Sequence, residues 1–364
     1  MTATVVGQRG GGAGTGDRAV WRVHVLRLGR RVTLRCVQRA LVAGFLIWFA
    51  AGIFLVLQLG VGEYSMSPGE VLGTLSGRGA PNQEFIIYDL RLPRVLTAVL
   101  VGVALGMSGA IFQSITRNPL GSPDIIGFTQ GAALAALVEI VIFHGSQAEI
   151  AIAAVVGGLA VSLLVYLLAY RKGVQGYRLI LVGIGITAVL MSFTSYLLLR
   201  AKVNDAQVAF VWLTGSLNAR GWEHVWPMVV ALVVLVPLTL AMSRPLRILE
   251  MGDDTAHALG VRIGRSRTWL LFLGTALCAV AVSSAGPVGF VALAAPQIAR
   301  RLTGTATVGL LPAAAMGALL LVVSDLAAQR LLAPTALPVG VATVSVGGLY
   351  LAWLLFRENK SGRG

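Results

Sequence analysis

Few residues of this 364-residue chain have the type and spacing that covalent or metal chemistry needs. The sequence contains no G-x-x-x-x-G-K-[ST] phosphate loop, no H-E-x-x-H pair and no G-x-S-x-G nucleophile motif. Metal sites need three or four clustered ligands, whereas the histidines and cysteines here are scattered along the chain. They are His24, His144, His224, His257, Cys36 and Cys278. We therefore predict no catalytic residue, no metal site and no cofactor bound by this chain.

Acidic residues avoid the middle of the apolar runs. Glu139, Glu149 and Asp325 each lie toward one end of a run. A proton- or ion-coupled carrier ordinarily holds an ionisable group near the bilayer midplane, because that group binds the coupling ion. The pattern counts against an intramembrane hydrolase and a secondary carrier, although a proton-coupled carrier stays as an alternative. It favours a passage for a large solute whose transport energy comes from another subunit.

The longest predicted cytoplasmic loop, residues 244–264, has the turn and capping residues of two short helices. Gly252 can end the first helix, and Asp253 or Asp254 can cap the second by accepting a backbone hydrogen bond. A short helix over 255–259 would then stop at Gly260. The segment is either a lever that docks in a groove of a soluble partner or an ordinary structured loop.

Two arginines, Arg91 and Arg94, flank Pro93 at the outer mouth of the second apolar run. They are either interface anchors that extend to water or a cationic docking point for an acidic extracytoplasmic partner.

Two further polar or helix-breaking segments lie in or beside the apolar runs. Gly286-Pro287 and Pro296 interrupt residues 285–301 at membrane depth, as a packing kink or as a hinge beside a pathway. The glycine-containing turn at 171–178 has the freedom that a gate needs. The run that follows it carries hydroxyl side chains that either bond neighbouring helices or line a pathway; these are Thr187, Ser192, Thr194 and Ser195.

The elements that must position these residues are membrane helices. The chain is 56% hydrophobic and only 12% charged, with a mean hydropathy of +0.81, whereas soluble domains carry about 25% charged residues. We predict an all-α polytopic membrane protein with ten spans, of which the eighth is short and does not clearly cross. The predicted spans are 40–60, 94–113, 121–142, 149–170, 179–199, 225–242, 269–289, 292–304, 308–329 and 338–356.

Positive charge predicts the orientation and the domain limits. With both termini in the cytoplasm, 22 of the 29 lysines and arginines lie in cytoplasmic segments. We therefore expect a cytoplasmic N-terminus over 1–39, disordered to residue 17 and then basic, amphipathic and lying on anionic lipid. A transmembrane domain over 40–356 and a cytoplasmic tail over 357–364 follow. Because the arginines cluster between apolar runs, the net charge of +14 does not indicate a nucleic-acid partner.

Five ordered motifs resemble the FecCD family, the membrane subunits of ABC importers for iron–siderophores, haem and vitamin B12. The resemblance covers about residues 40–356. The motifs are R-L-P-R (91–94), S-G-A-x-x-Q-x-x-x-x-N-P-L (108–120), L-E-M-G-D-D-T-A-H-A-L-G-V (249–261), G-P-V-G-F-V-A-L-A-A-P-Q-I-A-R-R (286–301) and L-P-V-G-V-A-T (337–343).

This resemblance implies a type II importer permease of ten helices, two copies or two related chains of which enclose the pathway. Two partner ATPase subunits would bind ATP and Mg, and an extracytoplasmic siderophore-binding protein would deliver the cargo. Features of the ferric-enterobactin type further imply a second, different permease and a catecholate or mixed siderophore. Importers of haem or vitamin B12 stay as alternatives.

The resemblance also assigns roles to residues. The ATPase-coupling helices would contain Leu249, Gly252, Asp253, Asp254, Thr255, Ala256, Leu259, Gly260 and Val261. The binding protein would dock on Arg91, Arg94 and Arg330. The cytoplasmic gate would lie at Gln175, Gly176 and Tyr177. The pathway would be lined by Ser192, Thr194, Ser195, Gln113 and Asn118.

Three positions depart from the family pattern. Gln297 follows Pro296 where histidine is usual, and Ala336 replaces an acidic residue. Gln329 stands where the family has an outer arginine, with Arg330 beside it. The docking role of that arginine therefore falls on Arg330 or is lost.

Overall fold

Each of the ten predicted spans contains a helix. The computed structural model describes residues 3–6, 22–28, 32–62, 64–170, 176–305, 307–331 and 337–361. The helices that correspond to the spans are α1 (Gln38–Gly60), α4 (Leu92–Thr116), α5 (Phe128–Val138), α6 (Gln147–Ala169), α7 (Gly176–Arg200), α9 (Trp222–Ala241), α12 (Ile263–Ala285), α13 (Val291–Thr303), α14 (Leu310–Arg330) and α15 (Val339–Ser361).

Seven of these helices, within the described ranges, are long and apolar enough to cross a membrane by length and composition. Two more are shorter apolar segments, Phe128–Phe143 and Val339–Tyr350. The remaining helix, α13, corresponds to the eighth predicted span. It has 13 residues, which extend over about 20 Å, whereas a hydrocarbon core is ~30 Å thick. The prediction that the eighth span is short is confirmed, because α13 by itself cannot cross.

The third predicted span begins later than residue 121. Residues Pro123–Ile126 form a 3₁₀ turn that ends at Gly127, whose φ is 71°. Regular helix starts only at Phe128 and passes into a π-helical turn over Glu139–Phe143. Residues 121–127 are apolar but form a turn. The predicted start of this helix at residue 121 is therefore wrong.

Short helices connect the long ones outside the predicted spans. Helix α2 (Pro68–Leu75) begins with a capping box in which Ser67 and Glu70 bond each other's backbone N–H groups. The others are α3 (Pro81–Glu84), the π-helical segment Phe85–Arg91, α8 (Val203–Thr214), α10 (Ser243–Glu250) and α11 (Asp253–Ala258).

Helix α4 is the centre of the bundle and packs against α9, α12, α13 and α14. Its contact with α14 is a backbone-to-backbone approach at Gly102 and Gly317, and its contact with α13 is similar at Gly109. A Cβ atom added to Gly109 would overlap the carbonyl group of Ala292. Small residues let these helices pack closely, and α4 needs no polar face because other helices surround it.

The N-terminal segment contains three short strands. Strands β1 (Ala3–Val6), β2 (Arg22–Leu28) and β3 (Val32–Val37) form an antiparallel sheet in the order β1-β2-β3. Ala3 pairs with Val25, and Val23 pairs with Val37. Strand β1 lies within the segment predicted to be disordered, and the domain limits predicted for 1–39 stay a prediction. The expected position of residues 18–39 on a membrane face stays a prediction.

The predicted break near Gly286 separates α12 from α13. Gly286 and Phe290 both have positive φ, 70° and 75°. The carbonyl of Ala285, the last residue of α12, accepts a 2.8 Å bond from the Ser216 backbone N–H. Buried backbone at membrane depth must be satisfied by protein, and the α8–α9 loop meets that requirement here. Pro296, in contrast, lies inside α13 without ending it.

Candidate functional site

The loop between α9 and α12 folds into two short helices, α10 and α11. Gly252, with a φ of 117°, separates them, and Gly260, with a φ of 76°, follows α11. Both values lie in the region that favours glycine. The prediction of a helix pair divided by Gly252 and stopped near Gly260 is confirmed.

The predicted capping by an aspartate is wrong. Gly252 is the N-cap residue of α11, with no side-chain cap bond, and Asp253 is already helical. The Asp253 carboxylate instead forms ion pairs with Arg117 and with Arg267, the latter at 2.7 Å. Asp253 therefore joins α11 to the end of α4 and to the first turns of α12.

Arg117 is the residue through which the central helix holds this loop. It ends α4 in the left-handed conformation, with a φ of 50°. Its Nε and Nη2 atoms donate bonds of 3.1 and 2.9 Å to the Leu249 carbonyl, and Nη2 also pairs with Asp253. A carbonyl at the end of α10 and a carboxylate at the start of α11 are thus held by one guanidinium.

The acidic groups of the helix pair have opposite pKa shifts. Partial burial raises the pKa of Asp253, but bonds from Arg117 and charge from Arg267 more than offset that effect and leave the pKa below its usual range. Burial raises the pKa of Glu250, although its bond from Ser114 opposes the shift. Asp253 is therefore the charged residue through which the loop is attached to α4 and α12.

The helix pair buries one side and exposes the other. Leu249 and Ala256 are fully packed, at 1% and 0% exposure. Met251 and Leu259 are 65% and 58% exposed. The side away from the bundle is therefore apolar at its tips, which suits insertion into a partner's groove.

The outer arginines lie together, but two of them are engaged within the chain. Arg91 donates 2.6 Å bonds to the carbonyls of Leu59 and Tyr64. Arg94 makes a two-pronged ion pair with Asp325, at 2.9 and 2.8 Å. Arg330 is exposed at the end of α14 and near enough to Arg91 for their charges to repel.

Asp325 is a buried hub at this outer end. Its carboxylate is 0% exposed and accepts bonds from Gln58 at 2.5 Å and from Gln329 at 2.9 Å, besides those from Arg94. Gln329, which stands where the resemblance predicts an arginine, is thus one of the groups that satisfy the carboxylate. The sequence analysis did not predict this network, although the spacing of Asp325 and Gln329 by one helical turn is a signal for it.

The predicted pathway residues do not lie together on one face. Ser192 and Ser195 are exposed on α7, whereas Thr194 is buried on its other side. Gln113 is 4% exposed and donates a 2.9 Å bond to the Leu293 carbonyl. Asn118 accepts a 2.9 Å bond from the backbone N–H of Leu120 in the corner after α4.

Gln113 therefore joins α4 to α13 inside the chain, and its place in the pathway stays a prediction. Gln297, which stands where the resemblance predicts a histidine, makes a comparable contact and donates a 2.6 Å bond to the Pro119 carbonyl.

The predicted gate is only partly within the described ranges. Gln175 lies outside them. Gly176 is the first residue of α7, and Tyr177 is 76% exposed beside it. Tyr177 is thus available to a neighbouring chain or to the pathway.

Comparisons with known proteins agree with this architecture. The profile of the FecCD transport family matches residues 50–357. The ferric enterobactin transport system permease protein FepG of Escherichia coli (strain K12) is 45% identical over 92% of this chain and 99% of its own length. The probable siderophore transport system permease protein YfhA of Bacillus subtilis (strain 168) is 39% identical over 84% and 92%.

A solved structure has the same fold. It is an inward-facing conformation of a metal-chelate type ABC transporter, with a TM-score of 0.78 and 29% identity. The similarity covers 86% of this chain and 98% of that one. The predicted permease fold is confirmed by this match.

Proposed function

Because the chain belongs to the FecCD transport family, we propose that it is the permease subunit of an ATP-driven importer of ferric-siderophore complexes across the cytoplasmic membrane. The observation that carries the proposal is the α10–α11 pair, fastened to the central helix through Asp253 and Arg117. Relatives that carry siderophores support this cargo over haem and vitamin B12. A proton-coupled carrier is the alternative mechanism.

In this proposal α10 and α11 are the coupling helices that a partner ATPase moves. Exposed Met251 and Leu259 would enter its groove, while buried Leu249 and Ala256 fix the pair to the bundle. The remaining coupling residues are Gly252, Asp253, Asp254, Thr255, Gly260 and Val261. ATP-driven closure of the ATPases would displace the loop, and Arg117 and Arg267 would pass the displacement to α4 and α12.

The opposite end would receive the binding protein. The arginine cluster of Arg91, Arg94 and Arg330 offers positive charge to acidic residues, as complementary surfaces do. Arg330 is the most available of the three, because Arg91 and Arg94 bond groups of their own chain. The pathway would run beside α7, with Ser192 and Ser195 on its exposed face and Gly176 and Tyr177 toward its cytoplasmic end.

The complex would contain two ATPase subunits, a second FecCD-type permease of different sequence and an extracytoplasmic siderophore-binding protein. This chain would do no covalent chemistry, and ATP and Mg would bind only the partners. Both termini would be cytoplasmic, as the arginine distribution indicates.

Affinity purification of the tagged chain in mild detergent tests the assembly. We expect an ATPase and a second, different permease to co-purify with ATP hydrolysis activity. Recovery of an ATPase with no second permease would replace the heteromer by a homodimer. Recovery of this chain alone, from a preparation that transports the siderophore after reconstitution, would overturn the importer in favour of a secondary carrier.

A further inference from the structure

A basic groove lies beside the α10–α11 pair and shares Leu259, Gly260 and Val261 with it. It has a volume of about 540 Å³ and is walled by α10, the α11–α12 loop and the start of α12. Its lining combines Arg244, Arg262 and Arg265 with the apolar side chains of Ile248 and Trp269. A cationic rim over an apolar wall is the chemistry of an amphiphile site.

The three arginines are directed at nothing acidic within the described part of the chain. The groove lining includes no aspartate or glutamate. None of the three contributes to an ion pair among the described residues, and all three are exposed. The nearby acids are engaged elsewhere, since Asp253 pairs with Arg117 and Arg267. The groove therefore carries uncompensated positive charge.

The groove continues into an exposed aromatic stripe on α12. Arg265, Trp269 and Phe272 follow one another at helical spacing of four and three residues. Trp269 and Phe272 are 49% and 56% exposed and form an edge-to-face pair 6.0 Å apart. From Arg265 to Phe272 the helix rises about 10 Å, a length comparable to the distance between the headgroups and the acyl chains of a bilayer. Tryptophan is enriched at that interface.

We propose that this groove binds one anionic phospholipid. Its phosphodiester would accept hydrogen bonds from Arg244, Arg262 and Arg265, for which guanidinium geometry is well matched. One acyl chain would lie along Trp269 and Phe272. A free phosphate would leave the aromatic stripe without a partner, and an acidic ATPase side chain would leave Phe272 uncovered in the bilayer. A lipid accounts for both parts of the surface.

Quenching of Trp269 by brominated lipid tests the proposal with the full chain in phosphatidylcholine vesicles. The chain has seven tryptophans, so the Trp269 signal is the difference between the unmodified chain and Trp269→Phe. A minor fraction of brominated phosphatidylglycerol should quench this signal with at least about fivefold higher relative affinity than brominated phosphatidylcholine. Arg244→Gln with Arg265→Gln should reduce the ratio to near one.

Arg247→Gln is the matched control, because Arg247 is on the same short helix but does not line the groove; it should keep the preference. Equal quenching by the two lipids in the unmodified chain would overturn the proposal even if the double variant does not fold. A preference that survives in the double variant would also overturn it.

Two competitors distinguish the other occupants. Excess inorganic phosphate should leave the lipid preference intact, and its loss would instead make the groove a small-anion site. Added partner ATPase should also leave the quenching intact. Loss of quenching on ATPase binding would make this surface part of the ATPase interface and would end the lipid proposal.

Discussion

The Asp325 carboxylate is fully buried, and its partners come from three helices. Gln58 is on α1, Arg94 is on α4, and Gln329 is one turn along α14. A buried charge is tolerated only where it is paired and hydrogen-bonded. Arg94 is thus already paired with Asp325 of its own chain. An acidic residue of a binding protein would have to compete with Asp325 for it.

Replacing Arg94 by Gln should destabilise the chain, because Asp325 would be left buried without its counter-charge. Loss of one partner of such a pair costs on the order of 3 kcal/mol. The effect is measured as a change in the thermal midpoint in detergent. The midpoint is determined from the loss of the monodisperse peak in size-exclusion chromatography. Arg330→Gln, at an exposed position on the same side of the bundle, is the control. Equal midpoints for the two variants would contradict the structural role of Arg94.

The Asp253 ion pairs predict a dependence of stability on pH. Since its native pKa is lowered, these pairs stabilise the fold above the ordinary carboxylate range, near pH 4, and the contribution is lost as the pH falls. Asp253 is 45% exposed, so we expect less than about 1 kcal/mol. The difference in thermal midpoint between the chain and Asp253→Asn should be constant from about pH 7 to 5 and vanish near pH 3. Asp254→Asn should show no such difference, and a gap that widens in acid would refute the assignment.

Sequence reasoning found these residues more reliably than it found their contacts. Asp253 and Arg94 were singled out from motif and position. Their partners, Arg117, Arg267 and Asp325, are 136, 14 and 231 residues away. Contacts between helices that are distant in sequence depend on how the bundle packs, and one sequence carries no direct signal for that packing.

At the scale of the helix, Gly260 and Gly264 allow the effect of an added side chain to be compared at two neighbouring positions. Both lie at the junction of α11 and α12, and a Cβ added to either meets nothing within 4 Å. They differ in backbone, because Gly260 has a φ of 76° whereas Gly264 is in the first turn of α12. A side chain at Gly260 would therefore strain the backbone by about 1–2 kcal/mol without creating a clash.

Gly260→Ala should lower siderophore uptake several-fold per ATP hydrolysed, because the strain displaces α11 from the position that the ATPase contacts. Gly264→Ala should retain normal coupling. Proteoliposomes of the complete complex, assayed for uptake and hydrolysis together, give the ratio directly. Equal ratios for both variants would remove the coupling role from this turn.

Most helices could be predicted because a long apolar run in the sequence is enough to indicate a membrane helix. The errors occur where local composition is ambiguous. Residues 121–127 are apolar enough for a span but form a turn at Pro123 and Gly127. Helix α8 was missed because it is short. In both cases apolar content indicated burial and did not decide between helix and turn.

At the scale of the whole molecule, the central and peripheral helices differ in burial. Helix α4 is enclosed by its neighbours, whereas α1 and α7 expose large apolar side chains such as Phe45 and Phe193, at 69% and 56%. Such surfaces must contact lipid or another membrane chain. These faces are therefore available to lipid or to the second permease that we propose.

The energy source follows from the same distribution of groups. A proton-coupled carrier needs an acid that gains and loses a proton during each cycle. Within the described ranges, Asp325 is the one buried acid, and protonating it would break its pair with Arg94. Uptake by proteoliposomes of the complete complex should therefore continue when a protonophore collapses the gradient, and should stop when ATP is withheld. Uptake that fails with the protonophore while ATP is present would return the chain to the class of secondary carriers.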